Sequence, residues 1–193
     1  MQVISEPPQC WTTVFKDNIL NVIFVSDRNL ITLNEKFCHI VEVFDASKFQ
    51  YIAVSPKQSA VAFYGKGELS VAPISLEKIY SRVNLEIEEK DVSSIVWCGS
   101  DCICLNLGTL IVLVSPLGNQ LPFYYTDAVE VFNETDGLKV LTKERLEFID
   151  KIVGSRIFKC RSFRACVSIG ICFVAGNAFR CVRAFSEREL KIR

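Results

Sequence analysis

The chain contains a weak internal repeat of short apolar runs separated by turns, and this repeat constrains the fold more than any other feature. Each unit opens with a short strand-like run, at residues 52–54, 95–97 and 129–131. Two further runs follow in each unit, at 60–63 and 69–71, at 102–105 and 110–112, and at 137–141 and 146–148. A repeat of roughly 40 residues with about four short strands is typical of a propeller blade. Because a blade cannot bury both of its faces alone, we expect the units to stack on one another.

The segment before this repeat predicts part of another unit. Residues 19–25 and 30–33 are expected to form a hairpin, the rear of a partial blade, which the alternating segment 36–44 closes. Residues 1–18 predict a loop that leads into this hairpin, with Pro7–Pro8 as the breaker.

Two features of the first unit refine this prediction. Gly65 and Gly67 predict a tight hairpin turn, because glycine readily adopts a positive φ. For residues 75–90 a helix is the alternative prediction, but the alternation of apolar and polar residues across 83–87 favours an outer strand. The predicted fold class is therefore all-β: an incomplete β-propeller with WD40-like blades of short antiparallel strands.

Charge divides the chain into two segments. Residues 1–150 carry 12 Lys and Arg against 20 Asp and Glu, whereas residues 151–193 carry 10 against 2. The acidic segment argues against a nucleic-acid partner, since a phosphate-binding face needs clustered Lys and Arg. We expect a partial propeller of about three to four blades over residues 1–152. Residues 153–193 form an atypical basic, cysteine-rich tail, to which the sequence assigns no fold. This tail is expected to be non-native or disordered.

The nine cysteines do not indicate a disulfide framework, because an odd number cannot pair completely. The N-terminal residues lack a signal-peptide pattern, so we expect a cytoplasmic chain with reduced thiols. Cys98, Cys102 and Cys104 lack the two paired knuckles of a zinc site, and buried core thiols are expected instead. The same reasoning predicts no metal site in the tail, whose cysteines are Cys160, Cys166, Cys172 and Cys181.

No catalytic, cofactor-binding or metal-binding residue is predicted. His39 is the single histidine, and its alternating apolar segment favours a structural role over that of a general base. The acidic run of Glu86, Glu88, Glu89 and Asp91 is expected to be a solvated edge, with a partner-binding patch as the alternative. The glycines match neither a phosphate-binding loop nor a dinucleotide fingerprint.

Both tryptophans are expected to pack rather than to bind a ligand. Trp97 lies in an inner run, where its ring can fill the space between blades. Trp11 precedes the first predicted strand and is expected to cover a blade edge, with an exposed stacking site as the alternative.

Three segments carry a family resemblance: 7–12 leading into the hairpin at 19–34, then 51–85, then 95–98 followed by 136–138 and 146–148. In this order they resemble the N-terminal region of the vacuolar protein sorting-associated protein 16 family, over about residues 7–152. The similarity is spread over strands and turns and includes no catalytic signature.

This resemblance implies a non-enzymatic subunit of the HOPS and CORVET tethering complexes, which act in vesicle-mediated protein transport before SNARE-driven fusion. The family has an N-terminal β-propeller followed by a long α-helical solenoid. The implied partners are the other tethering subunits, the class C vacuolar protein sorting proteins. The Sec1/Munc18-type partner is expected to bind only the solenoid, a region that is expected to be missing here. The implied location is cytoplasmic, peripheral on late endosome and lysosome or vacuole membranes.

Two departures from the family pattern predict a truncated or mis-predicted gene product. Met1 falls where the family is mid-propeller, and the resemblance stops just after Ile152, where the charge balance changes sign. Residues from about 153 onward are hypothesised to be read from intron or out-of-frame sequence. Because a partial propeller leaves blade faces unburied, we expect marginal stability or self-association of the chain alone.

Three other functions stay open on the sequence. A generic WD-repeat-like interaction scaffold unrelated to tethering is the main alternative, although no Gly-His or Trp-Asp pair stands at the blade ends. A redox or metal-dependent enzyme that uses the cysteines is the second. A membrane-surface role for the basic, apolar tail is the third.

Overall fold

Four antiparallel sheets follow one another along the chain in the computed structural model of the protein. The structure describes residues 7–16, 18–42, 45–151, 158–162, 169–175 and 178–182, with the backbone alone from residue 150 onward. Within these ranges the helical elements are two 3-10 turns, Ala46–Lys48 and Glu89–Asp91. The predicted all-β class is confirmed.

The first sheet is a complete four-stranded meander of β1 (Cys10–Lys16), β2 (Ile19–Ser26), β3 (Asn29–Leu33) and β4 (Cys38–Val41). The prediction of a partial blade is therefore wrong, and the predicted loop over residues 1–18 is wrong at Cys10–Lys16. Strand β1 is rich in Thr, Val and aromatic residues, which favour a strand, and it pairs with β2 along its whole length. Asn18, at φ 59°, supplies the left-handed residue of the short connection between them.

The second and third sheets reproduce the predicted repeat. The second contains β5 (Tyr51–Val54), β6 (Ala60–Gly65), β7 (Glu68–Pro73) and β8 (Ser81–Asn84). The third contains β9 (Ser94–Cys98), β10 (Cys102–Asn106), β11 (Leu110–Val114) and β12 (Gln120–Tyr124). The outer strand predicted within 75–90 is confirmed as β8, although Leu85 and Ile87 lie beyond its end.

The fourth sheet continues further than the others. Its strands are β13 (Glu130–Asn133), β14 (Gly137–Leu141), β15 (Leu146–Lys151), β16 (Phe158–Ser162), β17 (Ile169–Ala175) and β18 (Ala178–Val182). Strand β16 pairs with β15 as the fourth strand and lies beyond the predicted boundary at residue 152. The division into 1–152 and 153–193, and the non-native or disordered character of the second segment, stay predictions.

The sheets stack face to face, with the first strands β1, β5, β9 and β13 side by side. At the first joint, Val25 and Leu30 pack with Val61 and Phe63 around Phe49. The rings of Phe49 and Phe63 stack with centroids 4.9 Å apart. This arrangement is an arc of propeller blades, each burying its faces against its neighbours.

Strand β10 shows how completely an inner sheet is buried. Ile103 and Leu105 face the second sheet, whereas Cys102 and Cys104 face the fourth. All five residues of the strand are buried, because alternate side chains point to opposite faces and each face has a neighbouring sheet.

Two positions depend on glycine. The predicted hairpin turn is confirmed between β6 and β7, where Lys66 and Gly67 have φ of 49° and 74°. At Gly137 the reason is space: a Cβ there would lie 2.3 Å from the backbone oxygen of Ile149.

Candidate functional site

The joint between the second and third sheets is held by Trp97, which is 2% exposed. Its Nε1–H donates a hydrogen bond of 2.9 Å to the backbone oxygen of Ala53 on β5. The hydroxyl of Tyr64 donates to the backbone oxygen of Ile87, at 2.7 Å. The prediction that Trp97 fills the space between blades is confirmed, and the joint is a fixed structural element rather than a cleft.

The three central cysteines lie in the joint between the third and fourth sheets. Cys98 and Cys102 are direct partners in the β9–β10 pair, and all three thiols are buried, as predicted. Burial raises the pKa of the Cys104 thiol well above its ordinary value, and the neighbouring Cys98 raises it further. The Cys104 thiol is therefore a poor nucleophile.

Among the described residues, no group of three or more His, Cys, Asp and Glu side chains could hold a metal ion. In the same part of the chain, no helix is long and apolar enough to cross a membrane. The tail cysteines lie outside the side chains that the structure describes: Cys160, Cys166, Cys172 and Cys181.

The polar residues singled out in the sequence lie on the surface. His39 is exposed on the outer strand β4. Glu86, Glu88 and Asp91 are exposed, which confirms a solvated edge at these three positions; the side chain of Glu89 lies outside the described residues. Among the described side chains, no hydrogen bond joins His39 to any of these carboxylates.

This acidic edge borders an open groove of about 470 Å³. The groove is lined by the Lys66–Gly67 turn, by residues 85–88 and by Lys90. Within it, the ammonium of Lys90 lies 2.6 Å from a carboxylate oxygen of Glu88. Because both signs of charge line the groove, its electrostatics do not select an anion or a cation.

The face of the first sheet that points away from the second sheet is apolar and partly exposed. It carries Trp11, Phe15, Leu20 and Leu33, which are 63%, 57%, 52% and 39% exposed. Their strand neighbours point the other way, into the first joint, because successive residues of a strand alternate between faces. We call this surface the first open face. The structure thus places Trp11 on an exposed sheet face rather than over a blade edge.

The face of the fourth sheet that points away from the third sheet lies at the other end of the stack, and the strand register places Glu130 and Lys139 on it beside the apolar residues. Phe132 and Leu141 lie on it and are 50% and 45% exposed. Their neighbours Val131 and Val140 point into the third joint. We call this surface the last open face.

Sequence reasoning missed both open faces. Pro7–Pro8 favours a loop here, whereas the run of Thr, Val and aromatic residues in Cys10–Lys16 is a usable strand signal. Reading it as a strand puts Trp11 and Phe15 on one face and Val14 on the other. An apolar residue on each face of one strand indicates a sheet built to be covered on both sides.

Comparison with known proteins agrees with this geometry. A family model described as "Vps16, N-terminal region" matches residues 2–164. The "Probable vacuolar protein sorting-associated protein 16 homolog" of Schizosaccharomyces pombe is 25% identical over 136 residues, which are 69% of this chain and 16% of that protein. "Protein VACUOLELESS1" of Arabidopsis thaliana is 31% identical over 68 residues, which are 34% of this chain and 8% of that protein. The chain therefore spans a small part of the length of these relatives.

A solved structure shares the fold. BBS1N, crystallised in complex with ARL6DN and soaked with mercury, superposes with a TM-score of 0.52 at 13% identity. The match covers 83% of this chain and 53% of BBS1N, which is β-propeller-like. The incomplete propeller predicted from the repeat is confirmed, and so is the family resemblance. With its match over residues 2–164, the chain belongs to the family defined by the Vps16 N-terminal region.

Proposed function

We propose that this chain acts in vacuolar protein sorting as a non-enzymatic interaction module of a multisubunit tethering complex of the HOPS and CORVET type. The observation that carries this proposal is the family match over residues 2–164. The names of both relatives refer to vacuoles or vacuolar sorting, which supports the same process for this chain.

The geometry supports binding rather than catalysis. The described residues offer sheet faces, a charge-balanced groove and a stack of well-packed joints. The thiol of Cys104, the most deeply buried of the central cysteines, has a raised pKa that disfavours the reactive thiolate. Interaction modules of this fold present surfaces on a stable scaffold, and the stack provides one.

The partners proposed are the other subunits of the tethering complex, the class C vacuolar protein sorting proteins. Membrane association would be peripheral and indirect, through the complex, on late endosomes and on the lysosome or vacuole. Contact with the Sec1/Munc18-type partner is proposed to require a helical region outside this chain.

Affinity purification tests this proposal. The tagged 193-residue chain is expressed in cells, and the proteins that copurify are identified by mass spectrometry. We expect other vacuolar sorting subunits with the native chain and their loss with Trp97→Ala, which breaks the joint between the second and third sheets. Recovery of chaperones alone with the native chain would contradict the proposal. Recovery of an unrelated complex would favour the generic scaffold instead.

A further inference from the structure

Two cysteines of the third sheet lie directly opposite each other across a hairpin. Cys98 ends β9 and Cys102 begins β10, and the two residues are register partners in this antiparallel pair. Both side chains belong to the buried cluster between the third and fourth sheets, and neither is in a disulfide. The hairpin therefore carries a cross-strand pair of thiols.

The strand register brings the backbone of this pair within the range that a disulfide requires. Directly opposite residues of an antiparallel pair have Cα atoms about 4.5 or about 5.5 Å apart, and disulfides join Cα atoms about 4.4–6.8 Å apart. The Cβ atoms of opposite residues, about 4.5–5.5 Å apart, must approach to about 3.5–4.5 Å. The bond can thus form with a small local shift, and because it would be strained it should be readily reduced.

The turn at residues 99–101, which joins the two cysteines, is the expected route of access to them. Ser100 lies in this turn, and its Oγ is buried without a hydrogen-bond partner. A buried unpaired hydroxyl costs free energy in the folded state, so local opening of the turn is favoured by its hydration. The adjacent Asp101 is exposed. A small oxidant therefore needs to open only the turn, and not the packed joint.

Cys104 shares this face but is not placed to form the bond. It is the register partner of Val96, so it lies on the diagonal from Cys98. Diagonal neighbours are about 7–8 Å apart, beyond the usual Cα separation of a disulfide. Burial also raises the pKa of the Cys104 thiol, which disfavours its thiolate. Cys104 is therefore a matched control for the opposite pair.

We propose that Cys98 and Cys102 form a reversible disulfide when the chain is exposed to hydrogen peroxide. One thiolate attacks the peroxide, so that an S–O bond forms, the O–O bond breaks and a water molecule leaves. The second thiolate attacks the resulting sulfenic sulfur, so that the S–S bond forms, the S–O bond breaks and a second water leaves. The two sulfurs supply the two electrons that reduce the peroxide, and the two thiol protons end in the two water molecules.

This oxidation changes a contact between two sheets. In the reduced chain the Cys98 thiol donates to the backbone oxygen of Ile149 on β15, with Sγ and O 3.9 Å apart. A disulfide sulfur carries no proton to donate, so this contact between the third and fourth sheets exists only in the reduced form.

The test uses the reduced 193-residue chain, which is treated with hydrogen peroxide and then alkylated to block the remaining thiols. Protease cleavage before aspartate cuts at Asp101 and separates fragment 91–100, which contains Cys98, from fragment 101–126, which contains Cys102 and Cys104. We expect mass spectrometry to find the two fragments linked, and to find them separate after treatment with dithiothreitol. Oxidation of exposed Cys38 shows that the peroxide was active.

Two variants identify the partner of Cys98. Cys102→Ala should abolish the link, whereas Cys104→Ala, the matched control on the same face, should keep it. Circular dichroism checks that each variant is folded, and Cys98→Ala replaces Cys102→Ala should the latter unfold.

Three results would overturn the proposal. The fragments could stay separate while Cys38 is oxidised, which would show that the pair does not react. A link that survives Cys102→Ala would assign the bond to Cys104. Sulfinic acid at Cys98 or Cys102 in place of the link would show that the second thiol does not reach the first.

Discussion

Removal of the Trp97 side chain is expected to be the most damaging single truncation in the joint between the second and third sheets. The side chain is 2% exposed, packs between two sheets and donates a hydrogen bond to the backbone of Ala53. Trp97→Ala leaves a cavity at the joint and leaves the Ala53 oxygen without this donor. Trp11 provides the matched control, since it is the only other tryptophan and is 63% exposed.

The expected magnitude follows from this burial. Truncation of a buried Trp to Ala typically costs about 3–5 kcal/mol, a large share of the roughly 5–15 kcal/mol that stabilises a domain. Trp11→Ala should change the free energy of unfolding by about 0.5 kcal/mol or less, as surface substitutions usually do. Trp97→Phe keeps a ring but removes the N–H, so it should cost about 1–3 kcal/mol.

Urea unfolding followed by far-UV circular dichroism measures these differences without relying on tryptophan fluorescence. All variants are measured at one low protein concentration, because association of folded chains adds to apparent stability. A loss below about 1 kcal/mol for Trp97→Ala, or equal losses for the two tryptophans, would refute the assignment of Trp97 to the buried joint.

Three further predictions concern backbone space, thiol access and pH. Gly137→Ala should destabilise the fold more than Gly108→Ala, because its Cβ would lie 2.3 Å from a backbone oxygen. At Gly108 only the positive φ of 81° opposes alanine, at about 1–2 kcal/mol, and thermal melts compare the two. A thiol reagent should label exposed Cys38 in the native chain and buried Cys104 only after unfolding, as read by peptide mass spectrometry; equal rates would contradict this. Burial raises the pKa of Glu68, but hydrogen bonds from lysine and serine neighbours outweigh this and lower it below 4.5. The folded state then binds fewer protons, so this contribution is present at neutral pH and is lost as the pH falls below about 4.5. Between pH 7 and pH 4, the Glu68→Gln variant should lose less free energy of unfolding than the native chain, by up to about 1 kcal/mol. A change in urea midpoint between the two pH values that equals the change in the native chain would contradict this.

Local patterns predicted much of the fold. The three runs of each repeat unit became strands because alternation and turn residues act within a few positions. The Gly65–Gly67 turn and the buried position of Trp97 follow from equally local signals. The strand β1 was missed because Pro7–Pro8 outweighed the strand-favouring residues that follow it.

The open faces could not be predicted in this way. Phe15 and Phe63 are both phenylalanines on strands of four-stranded sheets. Phe63 is fully buried at the first joint, whereas Phe15 is 57% exposed. The difference depends on whether another sheet covers that face, and sheet stacking is a property of the whole arc rather than of a short window of sequence.

The most direct test of the central claim is an exchange in the Schizosaccharomyces pombe relative. The claim is that this chain forms the same sheet stack as the N-terminal region of its family and serves the same sorting process. The 136-residue segment of the relative that matches this chain is replaced by the corresponding segment of this chain, and delivery of a vacuolar reporter is scored. We predict that delivery is retained by the exchange and lost when it carries Trp97→Ala. A stably expressed exchange protein that missorts the reporter as severely as deletion of the segment would contradict the claim.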